Sequence, residues 1–115
     1  MKITDKKTLA DIQAEFSEKF PELKLEFYKE AHAVGEGSAA TATLNASKTI
    51  GAVRTIHREG ELSINGHLKV STLESNFKDQ YGLNVQVFRR SGDIWIQTST
   101  TDEWTLAKQN RKGER

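Results

Sequence analysis

Three histidines, His32, His57 and His67, are the side chains best suited to metal or acid–base chemistry, because imidazole ligates zinc and titrates near neutrality. Zinc ligands on one helix need a spacing of three or four residues, and no two of these histidines have it. His57 and Glu59 are too close in sequence to share a helix face. The expectation is three surface imidazoles and no metal. Gly35-Glu36-Gly37-Ser38 has the small residues of a phosphate loop but lacks the lysine and the immediate helix that such a loop requires, so it reads as surface loop. Ser38, Ser71 and Ser91 lack the elbow context of a nucleophile. Glu59 and Glu61 flank Gly60, where the end of a helix accounts for them without catalysis. The chain has no cysteine, which excludes disulfides, thiolate metal sites and a cysteine nucleophile. No base, nucleophile and oxyanion set assembles from neighbouring motifs, so the expected protein is not an enzyme and holds no cofactor. A hydrolase or transferase with a site gathered from loops would draw on His32, Glu36 and His57.

The constellation that could do work is aromatic. If Leu23, Leu25 and Phe27 face a core, alternation turns Tyr28 to the other side of the sheet, and it sets Phe88 against Val85 and Val87, and Trp95 against Ile94 and Ile96. Lys24, Glu26, Asn84, Gln86 and Gln97 fall on that same second face, with Arg89 and Arg90 at its edge. Tyr28, Phe88, Trp95, Arg89 and Arg90 are therefore the candidate partner-binding residues. Tyrosine, tryptophan and arginine are the usual anchors of protein interfaces, so a protein partner or a homodimer is the first expectation. Rings beside cations also serve single-stranded nucleic acid, the alternative. Cover by residues 50–59 or by Trp104 would instead make the face plain core. Seventeen basic and sixteen acidic side chains leave a net charge of +1, which argues against a duplex-DNA binder. The cluster Arg54, His57 and Arg58 reads as a solvated face.

The elements that must position these residues follow from periodicity. The chain's 115 residues, 36% apolar and 29% charged, suit one domain with one core. Leu9, Ile12, Phe16 and Phe20 form one stripe of a helix over residues 8–20, with Thr8 as N-cap, Asp11 in the first turn and Pro21 as stop. Leu23, Leu25 and Phe27 alternate as a strand. Leu62-Ser63-Ile64 alternates as another, ending at the turn Asn65-Gly66. Ser71-Thr72-Leu73-Glu74 has the spacing of a capping box for a helix over residues 71–81, closed by Gly82. Residues 83–88 and 94–96 then read as strands joined by a Ser91-Gly92 turn. Residues 34–40 read as a long loop. Thr49 caps a predicted helix through Ile50, Val53 and Ile56 or His57, ended by Gly60, with a strand over Ile50 to Ile56 as the alternative because Gly51 weakens the helix. Trp104 and Ala107 form the buried side of a C-terminal segment whose last residues, 111–115, should fray.

Laid over each other, the halves pair Ile3 with Ile64, Leu9 with Val70, Ile12 with Leu73, Phe16 with Phe77 and Phe20 with Tyr81. Past a one-residue gap, Leu25 meets Val85 and Phe27 meets Val87. A fainter tail match sets Thr43-Leu44 against Thr105-Leu106. This predicts a single α+β domain of two pseudo-repeats, residues 1–53 and 62–115, in a ferredoxin-like plan with one mainly antiparallel sheet and both helices on one face. A β-grasp is the alternative. The run Ile64-Asn65-Gly66-His67-Leu68-Lys69-Val70-Ser71-Thr72-Leu73, with Phe77, Tyr81-Gly82-Leu83 and Asp102-Glu103-Trp104-Thr105-Leu106, resembles a module of small uncharacterised bacterial proteins. The resemblance implies an accessory domain and carries over no activity or ligand. No apolar run reaches the roughly 18 residues of a membrane span, and residues 1–7 lack a signal-peptide core, so the expected setting is cytoplasmic.

Overall fold

The computed structural model describes residues 1–29, 43–58 and 60–113. The predicted loop at residues 34–40, His32, Glu36, Ser38 and Glu59 lie outside them. In chain order the elements are β1 (Lys2–Ile3), α1 (Leu9–Lys19), β2 (Leu23–Tyr28), α2 (Ile50–Val53), β3 (Gly60–Glu61), α3 (Val70–Tyr81), β4 (Asn84–Ser91), β5 (Ile94–Gln97), a 3-10 turn (Ser99–Thr101) and α4 (Leu106–Gly113).

Both long helices form where an apolar stripe coincides with end signals. Leu9, Ile12 and Phe16 are buried along α1. Thr8 accepts from the Asp11 amide at 3.1 Å while the Asp11 carboxylate accepts from the Thr8 amide at 3.0 Å, a reciprocal cap that satisfies two of the orphan donors at the helix start. Phe20 ends the helix ahead of Pro21, which disfavours helical geometry in the residue before it. On α3 the buried stripe is Val70, Leu73, Phe77 and Tyr81, and Gly82 closes it at φ +64, a conformation that glycine adopts without steric penalty. The predicted capping box at Ser71 is not formed. The N-cap is Lys69, without a side-chain bond, because the Ser71 amide donates to the Asp102 carbonyl at 2.7 Å and Glu74 instead accepts from the Val87 amide at 3.2 Å.

The fold is α+β with antiparallel strands, in two sheets rather than the single predicted one. β2, β4 and β5 form a three-stranded sheet with β4 in the centre, while among the described residues β1 and β3 pair with each other, Lys2 opposite Glu61 and Ile3 opposite Gly60. Leu62 and Ile64 are buried as their alternation predicts, but no strand forms there; the Leu62 amide donates to Met1. Leu23, Leu25, Phe27, Val85 and Val87 share one core with the stripes of α1 and α3, and the Phe27 and Phe77 rings meet edge-on at 6.1 Å.

Helix starts clasp in pairs. The Leu9 amide donates to Lys48 and the Ile50 amide to Lys7; likewise the Val70 amide donates to Trp104 and the Leu106 amide to Leu68. The same pattern occurs twice, and it sets Thr49-Ile50 against Thr105-Leu106, which corrects the tail match drawn from Thr43-Leu44. α2 is shorter than its periodicity suggests. Arg54 leaves it with extended backbone, and its buried guanidinium reaches Asp5 Oδ1 at 2.6 Å and the Arg58 carbonyl at 2.5 Å. Arg54 is thus an internal tie and not part of a solvated face. Gly51 lies so close that a Cβ there would sit 2.8 Å from Asp5 Cβ. At the other end, α4 is helical through Gly113, so residues 111–113 of the segment expected to fray continue the helix, and residues 114–115 lie outside the described residues. No helix among the described residues is long and apolar enough to cross a membrane.

Phe77 is fully buried where α3 meets β2. Phe77→Ala should cost about 3–5 kcal/mol in chemical denaturation, read as a lower midpoint at unchanged slope.

Candidate partner-binding sheet face

Cross-strand register decides which of the candidate residues meet. Lys24 stands opposite Phe88, and Arg90 opposite Trp95. Directly opposed residues share a face, so these four side chains form a cluster on the side of the sheet away from α1 and α3. Lys24 Nζ lies 5.3 Å from the Phe88 ring centre and 5.2 Å from that of Trp95, and the Arg90 guanidinium lies 5.2 Å from Trp95 on its own account. A cation within about 6 Å of a ring face is attracted by the ring quadrupole. Trp95 is held by two of them and remains half-buried. Each cation also has a carboxylate: Arg90 Nε is 3.1 Å from Glu22, and Lys24 Nζ is 3.7 Å from Glu26. The patch is an aromatic pair set in matched charges.

Two of the predicted site residues lie elsewhere. Arg89 alternates to the opposite face of β4, where it donates to Gln109 at 2.7 Å and packs 5.5 Å from the Trp104 ring. Lys108 covers the same ring at 4.2 Å, and Gln109 in turn donates to Thr101 at 2.8 Å. Arg89 therefore fastens α4 to the sheet and is not part of the aromatic face. Trp104, considered as a cover for that face, belongs to the other side. Tyr28 is on the expected face but only 3% exposed, at the far end of β2 beside Thr43. Burial holds its phenol above the ordinary value of 10.0, with a hydrogen bond from the Thr43 side chain pulling the other way. Of the residues put forward, Phe88, Trp95 and Arg90 come together.

Lys24 extends the cluster beyond those residues. Alternation places Lys24 on this face, but only register shows that it stacks on both rings. Ile94 reads as an inward residue, yet it is 62% exposed because β5 is the outermost strand of its sheet, at the tip of its hairpin.

Elsewhere, a cleft of about 270 Å³ lies between the end of β2, α2 and the start of β4, lined by Phe27, Tyr28, Leu44, Lys48, Val53 and Leu83 among others. His57 is exposed, 3.9 Å from Asp5, and His67 is exposed in a turn. Among the described residues no group of three or more His, Asp or Glu is placed to hold a metal ion.

Two outcomes follow from this geometry. With Trp104→Phe leaving one tryptophan, Lys24→Met and Arg90→Met should each red-shift Trp95 emission and destabilise the fold by at most about 1 kcal/mol, the scale of an exposed cation–π contact. Because the Tyr28 phenol ionises later in the folded chain than in the unfolded one, stability should hold level up to about pH 10 and decline above it. Tyr28→Phe should flatten that decline in denaturation midpoints measured across the range.

The chain matches no protein-family model, no curated protein and no solved structure, so its site is read from its own geometry.

Proposed function

We propose that this chain is a non-catalytic binding module that engages a protein partner, a second copy of itself included, through the sheet face of Lys24, Phe88, Arg90 and Trp95. The observation that carries the reading is Trp95, half-buried between two cations that are themselves matched by Glu22 and Glu26. A platform for single-stranded nucleic acid gains its affinity from cations left over to neutralise phosphates. On this face both cations already have carboxylates, which favours an aromatic-anchored protein contact. A loop-built hydrolase or transferase has less support, since His57 is exposed and apart from the cleft. The same reading takes residues 1–53 and 62–115 as two copies of one unit, supported by the twice-used helix clasp. It sets the module among small cytoplasmic accessory proteins of bacterial type.

Light scattering over a range of concentrations at two salt levels, with and without an oligonucleotide, tests this. The expected result is a mass that rises with concentration, changes little with salt and returns to monomer in Trp95→Ala. Oligonucleotide binding that weakens steeply with salt would establish the nucleic-acid alternative instead. A chain that stays monomeric, ignores the oligonucleotide and shields Trp95 from quenchers would end both readings.

A further inference from the structure

β5 is a strand of unusual composition for its position. Outer strands of natural sheets commonly carry lysine, proline or a bulge that discourages another strand from pairing there. Ile94-Trp95-Ile96-Gln97 has none of these, and it is apolar on both faces: Trp95 on the side of Lys24 and Arg90, Ile94 and Ile96 on the other. Its hairpin closes tightly through Gly92 at φ +63, and β5 runs in antiparallel register beside β4. The Thr98 amide donates to the Val87 carbonyl at 3.2 Å. In an antiparallel ladder the inward and outward peptide groups alternate. Positions 94, 96 and 98 therefore turn toward β4, and the N–H and C=O of Trp95 turn outward.

We propose that β5 pairs antiparallel with β5 of a second copy, about a two-fold axis at Trp95, so that the two three-stranded sheets become one. This rests on the reading of the Trp95 face as a self-association site and specifies its geometry. In that register the two Trp95 residues exchange both backbone hydrogen bonds and their rings lie side by side, a favourable cross-strand pair. Ile94 then faces the partner's Ile96 on the opposite side, so four isoleucines, including the exposed Ile94, cover one another. Asp93 faces the partner's Gln97, so no like charges are opposed. The Lys24–Glu26 and Arg90–Glu22 pairs at the rim bring no uncompensated charge to the axis. A second copy is the occupant because the strand is complementary to itself: one two-fold satisfies the same outward groups and apolar side chains on both chains.

The absence of cysteine allows a test of register that leaves Trp95 in place. Ile94 and the partner's Ile96 would form a non-hydrogen-bonded pair with Cα atoms about 4.5 Å apart, within reach of a disulfide. Full-length Ile94→Cys mixed with full-length Ile96→Cys should give a covalent heterodimer under mild oxidation. Neither variant alone should cross-link appreciably, nor should Ser75→Cys on the outer side of α3. In parallel, Ile94→Lys should leave the circular dichroism spectrum unchanged and weaken dimerisation at least tenfold. A dimer that survives Ile94→Lys but dissociates in Phe88→Ala would overturn edge pairing while leaving the aromatic face as the binding surface. Equal cross-linking in the mixed and single-variant samples would rule out this register. A wild-type chain that is monomeric at millimolar concentration would dispose of the dimer and leave only the reading of a different protein partner.

Discussion

The pairing of Leu25 with Val87 in the centre of the sheet is the constraint on which the remainder of the molecule depends. Side chains on a strand alternate, so this one match determines the destination of every residue along β2 and β4. It sends Leu23, Phe27 and Val85 to the helices and Lys24, Phe88 and Arg90 to the opposite face. A slip of β2 by one position would expose Leu23, Leu25 and Phe27 and turn Lys24 and Glu26 into the core, a penalty of several kcal/mol on each count. The separation of Arg89 from Arg90 is a direct result. The two are adjacent in sequence, but one anchors α4 through Gln109 and Trp104 while the other stacks on Trp95.

Around this sheet, backbone hydrogen bonds between helix starts organise the rest. A helix start has amides with no partner inside the helix. Here the starts of α1 and α2 satisfy each other, and those of α3 and α4 do the same. This explains how α2, only four residues long and too short to persist alone, keeps a defined place. It also explains why Lys69 can stand at the N-cap of α3 without a capping side chain, since the 102–105 segment supplies the acceptors. Arg54 adds a charged tie to Asp5 from a fully buried side chain, which joins the end of α2 to the turn before α1.

The electrostatics of the aromatic face bear on the kind of partner proposed for it. Cations over rings that are also matched by carboxylates make a surface that is locally neutral and amphipathic. Such a surface gains little from long-range attraction to a polyanion and more from close apolar contact, in which rim charges set register more than affinity. Ile94, exposed on the other side of β5, leaves that strand apolar on both of its faces.

Much of this architecture was legible in the residue order, because it depends on local rules. The stripes of α1 and α3, the reciprocal cap of Thr8 with Asp11, the stop at Pro21, the left-handed Gly82 and the alternation of β2 and β4 each follow from a few neighbouring residues, and the structure bears them out. What only the tertiary structure decided depends on partners distant in sequence. β1 and β3, each two residues long, pair with each other across a long stretch of chain, which no periodicity reveals. Ser71 is not a cap because Asp102 reaches its amide first. Arg54 is buried because Asp5 receives it. Residue types marked Trp95, Phe88 and Arg90 as a candidate surface, but the burial of Tyr28, the loss of Arg89 to α4 and the stacking of Lys24 required the register of three strands. Side-chain type and spacing fix what a segment prefers; which preferences are satisfied is settled by long-range contacts whose energies exceed local ones.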